Sequence, residues 1–181
     1  MTFPDTAPPW PLAALLHPDG QQGLEALLER TARSLRTRGW RVGGLVHHQG
    51  CYPNGNKRMV LADLCSEDTF ELSQDLGPAS RACSLNPQAL AQASAVLRQA
   101  LARGVDLLVI NRFGAAEATG QGFAAEFVAA VEAGVPVLTA VAERHMADWE
   151  RFTGGTHTAL PPDEAALAQW CARQRPRWPA A

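Results

Sequence analysis

The sequence predicts a doubly wound, mainly parallel α/β domain, and three stretches of the chain carry this prediction. Residues 105–141 read as an apolar run, a polar loop, a helix and a second apolar run, which is the pattern of a strand-loop-helix-strand unit. Residues 12–46 repeat that pattern around a glycine turn. Residues 58–72 read as a small antiparallel hairpin between the two units. Strands that alternate with helices in this way are typical of a sheet covered by helices on both faces.

The first unit begins with a buried strand over residues 12–17, LAALLH, followed by the turn PDGQQG. Residues 24–38 have apolar side chains at a helical spacing, and Gly39 ends the predicted helix. The next strand covers residues 41–48, and a loop with Pro53 and Gly55 extends from there to Lys57. This half of the chain is therefore predicted to be a strand-helix-strand unit of a parallel sheet.

The second half starts from the hairpin, whose two short strands are joined by a polar turn, and continues through a long polar loop. Asn86 is a predicted N-cap, and Pro87 suits the first position of the helix that follows. In chain order, the predicted elements are strands 58–64 and 69–72, loop 73–86, helix 87–103, strand 105–110, helix 122–133, strand 136–141, and helices 143–152 and 163–173.

Length and composition limit the function classes. A chain of 181 residues is expected to form one domain, here residues 11–173, between Pro-rich tails at residues 1–10 and 174–181. A net charge of −2 argues against nucleic acid or an anionic membrane as partner. No apolar run reaches the roughly 18 residues of a membrane span, and the first residues do not resemble a signal peptide. Four cysteines without a CxxC pair fit a cytoplasmic protein.

Polar residues follow the predicted main strands. His17 ends the first strand, and Asn111 and Arg112 follow the third. His47 and His48 end the second strand, and Glu143 and Arg144 follow the fourth. Parallel strands bring these ends to one edge of the sheet, where ligands of α/β proteins bind. Helix N-termini at the same edge favour anions, so the pattern indicates a small-anion or phosphate site. The alternative is that these ends are polar because loops are solvated.

The turn between the first strand and its helix has the glycine content of a phosphate-binding loop without its key side chains. The backbone around Gly20, Gln22 and Gly23 can present amides to an oxyanion. Leu24 and Glu25 follow, where a Walker A loop has lysine and then serine or threonine. The phosphate-gripping cation and the Mg²⁺ hydroxyl are therefore absent, which argues against efficient hydrolysis. An ordinary strand-helix turn is the alternative interpretation.

The polar loop 73–86 is a second candidate anion contact, because long polar loops in compact domains are often functional. Gln74, Ser80 and Arg81 can bind a tetrahedral oxyanion through charge-assisted hydrogen bonds. If Arg81 makes that contact, Arg81→Ala should weaken binding by at least ~1.5 kcal/mol. Lys57, the only lysine of the chain, and Arg58 are possible additional cations. The alternative is a solvated surface loop.

Histidines and cysteines offer a further possibility on paper. His48 and Cys83 are possible additional site residues, and a nucleophile at Cys51 or Cys83 with His48 as base is a further option. The spacings of the cysteines and histidines match no zinc pattern, so no metal site is predicted.

Two strings resemble the P-loop nucleoside-triphosphatase family typified by small archaeal and human enzymes that hydrolyse nucleotides slowly. RVGGLV at 41–46 is similar to a glycine-rich strand of that family, and INRFGAAE at 110–117 is similar to its acidic strand end and turn. Asn111 or Arg112 replaces the acidic residue that would serve magnesium, and Glu117 is the only acid retained in the turn. The resemblance implies a P-loop-NTPase-like fold with a degenerate phosphate loop.

A closer resemblance covers nearly the whole chain. It is to an uncharacterised bacterial family of P-loop-like proteins described as related to molybdate transport. The shared strings are RVGGLV, the segment 63–85 with SQDLGP, VINRFG with a following glutamate, and GVPVLTAV at 134–141. The resemblance implies a link to molybdenum metabolism.

These observations leave three functional hypotheses. The first is a cytoplasmic protein that binds an oxyanion such as molybdate or tungstate on a degenerate P-loop scaffold, with the small anion as its partner. The second is a nucleotide-binding protein or slow nucleoside triphosphatase using a Mg-nucleotide, in which Glu117 positions water or metal and Arg112 contacts phosphate. The third is a non-catalytic partner or regulatory subunit, for which self-association through the apolar helices remains open.

Overall fold

A computed structural model of the protein describes residues 11–74 and 84–174. Within them, none of the helices is long and apolar enough to cross a membrane. The strands and helices are, in chain order, β1 (Leu12–His17), α1 (Leu24–Thr37), β2 (Val42–Cys51), β3 (Lys57–Asp63), β4 (Thr69–Glu71), β5 (Ser73–Gln74), β6 (Ser84–Leu85), α2 (Pro87–Ala102), β7 (Leu107–Ile110), α3 (Ala115–Ala118), α4 (Ala124–Glu132), β8 (Val137–Ala142), a 3-10 helix (Glu143–His145), α5 (Met146–Thr153), β9 (Thr158–Leu160) and α6 (Glu164–Arg173).

Seven of these strands form one sheet in the order β4-β3-β2-β7-β8-β1-β9. The run from β2 to β9 is parallel throughout, and β3 and β4 extend it as an antiparallel edge. The predicted hairpin is therefore part of the main sheet. Strands β5 and β6 pair separately with each other. The predicted fold class, a mainly parallel α/β sheet with an antiparallel part, is confirmed.

Two apolar layers cover the faces of the sheet. Helices α1 and α6 pack on one face, with Trp170 among their buried residues. Helices α2, α4 and α5 pack on the other face, around an aromatic cluster that includes Phe113, Phe127 and Trp149. The chain that leaves β1 therefore forms a helix on one face, whereas the chain that leaves the adjacent β8 forms a helix on the other. This divergence opens a crevice beyond the carboxyl ends of β1 and β8, the place where ligands bind in open α/β sheets.

The glycine pair in RVGGLV is explained by close packing around β2. A β-carbon at Gly43 would lie 2.8 Å from Cβ of Ala100 on α2. Gly44 has a φ of +132°, and a β-carbon there would overlap the backbone of Val109 on β7. Both positions therefore require glycine because a helix on one side and a strand backbone on the other approach too closely for a side chain.

Several elements differ from the sequence prediction, among them the short paired strands β5 and β6 at the two ends of the predicted loop 73–86. The short strand β9 was not predicted, and neither was helix α3, which lies where a loop was expected around Glu117. Strand β2 does not end at His48 but continues to Cys51, because its last residues pair with β3. These elements are defined by pairing between strands or by a single buried side chain, and neither produces a periodic pattern in the sequence.

Candidate functional site

A cleft with a volume of about 360 Å³ lies beyond the carboxyl ends of β1 and β8. This volume is near the lower end of the roughly 300–1,000 Å³ found for small-molecule sites. The cleft is walled by the turn between β1 and α1, by the β2–β3 hairpin, and by residues that follow β7 and β8. It brings together seven of the residues predicted as site residues: His17, Gly20, Gln22, His48, Lys57, Asn111 and Arg112.

The N-terminus of α1 opens onto one wall of the cleft. Gly23 is its N-cap, with a φ of +84°, and no side chain caps the helix. The first intrahelical bond runs from the Leu27 amide to the Gly23 carbonyl at 3.0 Å, so the amides before Leu27 have no intrahelical partner. In contrast, side chains cap α2 and α6. The uncapped first turn carries the partial positive charge of the helix dipole toward the cleft.

Arg112 is a partly buried cation that faces the cleft. Among the described residues it forms no ion pair, and its polar neighbour is the Gln49 amide, whose oxygen lies 2.8 Å from Nη2 in the orientation that satisfies both groups. Burial and then the nearby Arg144 guanidinium lower the pKa of Arg112, whereas the carboxylates of Glu25, Glu117 and Asp19 act in the opposite direction. The charge of Arg112 is thus held in the cleft without a full counter-charge, which favours a bound anion.

Asn111 has a structural role beside its place in the cleft wall. Its backbone amide donates to the Leu45 carbonyl at 3.1 Å, and its side-chain Oδ1 accepts the His47 amide at 2.9 Å. Asn111 is almost fully buried. It therefore extends the β2–β7 pairing past the last parallel residues, and its side-chain oxygen is already occupied.

His17 lines the cleft and has one buried ring nitrogen without a hydrogen-bond partner among the described residues. It ends β1, and its side chain is 3% exposed. Its Nδ1 lies 2.9 Å from the Pro18 carbonyl oxygen, whereas Nε2 is buried and has no hydrogen-bond partner. Buried polar atoms are nearly always paired, so an orphaned nitrogen in a cleft wall is a candidate ligand contact.

The two adjacent histidines of β2 lie in different surroundings. His48 lines the cleft, and its Nε2 pairs with Glu29 Oε1 on α1 at 2.9 Å. His47 does not line the cleft and is 5% exposed. Burial, together with Arg112 and His48, lowers the pKa of His47 to about 4, so this ring is neutral near pH 7.

Lys57 and Arg144 add cations from two further segments. Lys57 begins β3 and reaches the cleft because the β2–β3 hairpin folds over this edge of the sheet. Arg144 follows β8 and forms an ion pair with Asp19 in the turn after β1. With Arg112, these cations face two carboxylates that line the same cleft, Asp19 and Glu25. Cations outnumber carboxylates by one, which suits an anionic ligand.

Four of the predicted site residues do not line the cleft. Gly23 sets the start of α1, and Arg58 is engaged with Glu71 on β4, with Nε–Oε1 at 3.1 Å. Gln74 is exposed on β5. Glu117 holds its own loop instead: Oε2 accepts the Gly114 amide at 2.9 Å and Oε1 accepts the Phe123 amide at 3.1 Å. Burial raises the pKa of Glu117, and these backbone donors oppose the rise.

Three other predicted residues, Ser80, Arg81 and Cys83, lie outside the described part of the chain. Within residues 11–74 and 84–174, no cluster of three or more His, Cys, Asp or Glu side chains is arranged to hold a metal ion. Sequence reasoning did not select Gln49, Asp19 or Glu25 as cleft residues. It placed Arg144 at this edge of the sheet, as a residue that follows the fourth strand, without selecting it as a ligand contact.

A solved structure and a curated relative resemble this chain. The solution structure of a human cancer-related nucleoside triphosphatase superimposes with a TM-score of 0.61 at 16% identity, covering 89% of this chain and 94% of that one. The fold is therefore that of a nucleoside triphosphatase. A molybdenum import ATP-binding protein, ModC 2, of Bradyrhizobium diazoefficiens is 37% identical over 164 residues, which cover 88% of this chain. The chain spans only 18% of the length of that relative.

A family model matches residues 12–170, from the first residue of β1 to Trp170 on α6, and so includes every described wall of the cleft. The match spans most of the chain. This protein therefore belongs to the family described as protein of unknown function (DUF2478).

Proposed function

We propose that this protein binds a small oxyanion in the cleft at the carboxyl ends of β1 and β8, with molybdate or tungstate as the candidate ligand. The observation that carries the proposal is Arg112, a partly buried guanidinium that faces the cleft with no ion pair among the described residues. A buried cation without a counter-charge is costly, and a bound oxyanion supplies that charge through charge-assisted hydrogen bonds.

Other parts of the cleft support the same ligand class. The uncapped amides at the start of α1 are donors without intrahelical partners. Lys57 adds positive charge from the start of β3, and Arg144, which is paired with Asp19, adds it from the segment after β8. Donors and cations converge from several different elements of the fold. Such a set suits a compact anion that is contacted from several sides.

The choice of molybdate or tungstate rests on the relative from Bradyrhizobium, whose name refers to molybdenum import. Because this chain matches only 18% of that relative, the resemblance supports a link to molybdenum metabolism and does not transfer the ATP-binding activity of the longer protein. The identity of the ion is therefore part of the proposal, and the thermal unfolding experiment described below tests it.

The phosphates of a nucleotide are the second candidate ligand, and the fold favours them because the superposed human protein is a nucleoside triphosphatase. Three positions in the cleft oppose turnover. Leu24 and Glu25 stand where a phosphate loop has its lysine and hydroxyl, and Glu25 places a carboxylate against the site. Asn111 ends β7 with its side-chain oxygen already bonded. For this alternative, the cleft therefore supports nucleotide binding without rapid hydrolysis.

The first experiment measures thermal unfolding of the purified protein with sodium molybdate, sodium tungstate, sodium sulfate and Mg-ATP, all at equal ionic strength. A ligand that binds only the folded state at 100 times its Kd stabilises that state by about 2.7 kcal/mol. We expect molybdate and tungstate to raise the midpoint more than sulfate. A rise with Mg-ATP alone would favour the nucleotide alternative, and no rise with any of the four would remove the proposal.

A pair of variants tests the residue that carries the proposal. Arg112→Met removes the cleft guanidinium, and Arg33→Met removes an exposed charge from the outer surface of α1. Loss of a charge-assisted contact worth about 1.5–3 kcal/mol weakens binding by roughly 10-fold to 150-fold. We expect that loss in calorimetric titration of Arg112→Met and wild-type affinity in Arg33→Met. Equal affinity of both variants would exclude Arg112 from the site.

Arg112→Met has a second, independent signature. Because burial and Arg144 disfavour the charge of Arg112 whereas nearby carboxylates favour it, and because Arg112 forms no ion pair with a described residue, its removal should change the stability of the ligand-free protein little. A residue with a purely structural role would instead destabilise the protein when replaced. The combination of retained stability and lost anion affinity therefore identifies a binding residue.

A further inference from the structure

We infer that Gln49 is a positioning residue of the anion site, whose neutral amide holds the Arg112 guanidinium in the cleft without cancelling its charge. This inference rests on the proposed function and deepens it, because it assigns the charge selectivity of the site to a residue that need not touch the ligand. Its basis is the contact between these two side chains and the positive charge that this contact leaves in place.

The β2–β3 hairpin extends past the parallel part of the sheet, and this extension places Gln49 beside Arg112. Strand β2 pairs with β7 as far as Leu45, and beyond that point its partner is β3. Arg112 follows Asn111, whose side-chain oxygen accepts the His47 amide at 2.9 Å. The Gln49 and Arg112 side chains therefore meet just beyond the Asn111–His47 bond, at the edge of the sheet where the cleft lies.

Both terminal nitrogens of Arg112 donate to the amide oxygen of Gln49. In the amide orientation that satisfies both groups, this oxygen lies 2.8 Å from Nη2 and 3.3 Å from Nη1. Both side chains line the cleft, and Gln49 is exposed whereas Arg112 is partly buried. Because a guanidinium is planar and its donors have a fixed geometry, one acceptor shared by two of its nitrogens fixes the direction in which the group points.

A neutral acceptor at this position has a different consequence from a carboxylate. The amide oxygen of Gln49 accepts from the guanidinium but carries no net charge, so Arg112 keeps its positive charge for a ligand. A glutamate, which has the same length, would form an ion pair with the guanidinium and supply the counter-charge itself. An oxyanion would then have to bind to a cation that is already neutralised.

The two carboxylates that line the cleft also leave Arg112 without an ion pair. Asp19 is paired with Arg144, and Glu25 forms no ion pair with a described residue. Both carboxylates favour the charge of Arg112 from beyond ion-pair distance. Within the part of the chain that the structure describes, the group at hydrogen-bond distance from this guanidinium is therefore the neutral Gln49 amide. The charge of residue 49 consequently sets how much positive charge the cleft offers to an anion.

The test compares two anions of the same tetrahedral shape and different charge, tungstate with two negative charges and perrhenate with one. Calorimetric titration of the 181-residue chain with each sodium salt is done at equal ionic strength, at a pH where tungstate carries both charges. An added carboxylate repels a ligand in proportion to the charge of the ligand. We therefore expect Gln49→Glu to weaken tungstate binding by about a hundredfold and perrhenate binding by about tenfold, which is the square root of the first factor.

Two single variants separate the added charge from the lost contact. Gln49→Met removes the acceptor without adding charge, so it should weaken both anions by the same factor, about threefold to tenfold. Gln92→Glu adds a carboxylate to an exposed position on α2, outside the cleft, and should leave both affinities at their wild-type values. Thermal unfolding of ligand-free Gln49→Glu should give a midpoint no lower than that of the wild type, because the new carboxylate pairs with Arg112.

A double variant tests whether Gln49 acts through Arg112. In the Arg112→Met background there is no guanidinium to hold, so the added Gln49→Met substitution should leave the remaining affinity for tungstate unchanged. A glutamine that contributed to binding independently of Arg112 would instead lower the affinity by the same factor in both backgrounds. This comparison and the Gln49→Met titration decide the inference even if Gln49→Glu fails to fold.

The outcomes distinguish this inference from the proposed function. Wild-type affinity in Gln49→Glu, or equal losses for tungstate and perrhenate, would overturn the role of Gln49 and leave the oxyanion site in place. Independent losses in the double variant would also overturn it, because Gln49 would then not act through Arg112. Absence of anion binding by the wild type would refute the proposed function itself, and with it this inference.

Discussion

Acidification should destabilise this protein through His47, whose ring is buried beside two other basic groups. The side chain is 5% exposed, and its Nδ1 has no partner among the described residues. Burial, Arg112 and His48 lower its pKa to about 4 from the ordinary value of 6.5. In the unfolded chain the ring regains the ordinary value, so the unfolded state binds more protons between these two pKa values.

The magnitude follows from the size of the shift. Each pKa unit corresponds to about 1.4 kcal/mol, so a lowering from 6.5 to about 4 corresponds to about 3 kcal/mol. Stability from this source is complete above about pH 6.5 and is lost progressively as the pH falls toward about 4. A loss of about 3 kcal/mol is a large part of the 5–15 kcal/mol typical of small domains.

The assay is urea denaturation of the wild type and of His47→Gln at a series of pH values across that interval. Carboxylates that titrate in the same range contribute equally to both proteins, so the difference between the two unfolding free energies isolates His47. We expect that difference to change by about 3 kcal/mol in favour of the wild type as the pH rises. His48→Gln should keep most of the wild-type pH dependence, because His48 is the smallest of the three contributions to the lowered pKa of His47.

Parallel pH profiles for the wild type and His47→Gln would refute this reasoning, because they would mean that His47 is protonated as easily in the folded protein as in the unfolded chain. If acidification stabilised the wild type relative to His47→Gln, the predicted direction of the pH dependence would be wrong. Either result would also remove the electrostatic evidence that Arg112 and His47 lie close together.

Three further predictions concern the scaffold. Gly44→Ala should destabilise the folded protein by about 3 kcal/mol or more, because the new β-carbon would overlap the Val109 backbone. The control Gly50→Ala, in the same strand but with open space around it, should cost under about 1 kcal/mol. Equal urea midpoints for the two variants would contradict this prediction. Asn86→Ala removes the cap of α2 and should cost about 1 kcal/mol by the same assay. Glu117→Gln leaves one of two bonded backbone amides without its acceptor and should cost about 1–3 kcal/mol; unchanged stability would refute its bracing role.

The bracing role of Glu117 shows why an acidic residue in a recognisable turn need not be catalytic. A β-carbon at Gly122 would overlap the Glu117 carboxylate, so the chain between Gly114 and Phe123 wraps tightly around that group. The same carboxylate does not line the cleft. The Glu117 carboxylate therefore accepts hydrogen bonds from the backbone of its own loop and lies outside the cleft wall.

Local patterns in the sequence determined the main elements of the fold. Strand β1 has the predicted bounds, and α1 and α2 differ from their predicted ends by one residue, because the apolar periodicity, Gly39 and the Asn86-Pro87 cap are all local signals. Strand β9 escaped prediction because three residues give no periodicity, and it exists only through its pairing with β1. Strand β2 likewise continues past His48 only because β3 folds back along it.

The sequence also predicted some of the residues that line the cleft, because the strand ends and the glycine turn indicated His17, Gly20, Asn111 and Arg112. Only the tertiary structure decided which of the other candidates join them. Lys57 enters the cleft, whereas Arg58, its neighbour in the chain, is turned to an ion pair with Glu71. Which side chains share the cleft depends on strand order and register, because these bring together residues far apart in the chain. Periodicity within a single segment carries no information about strand order or register.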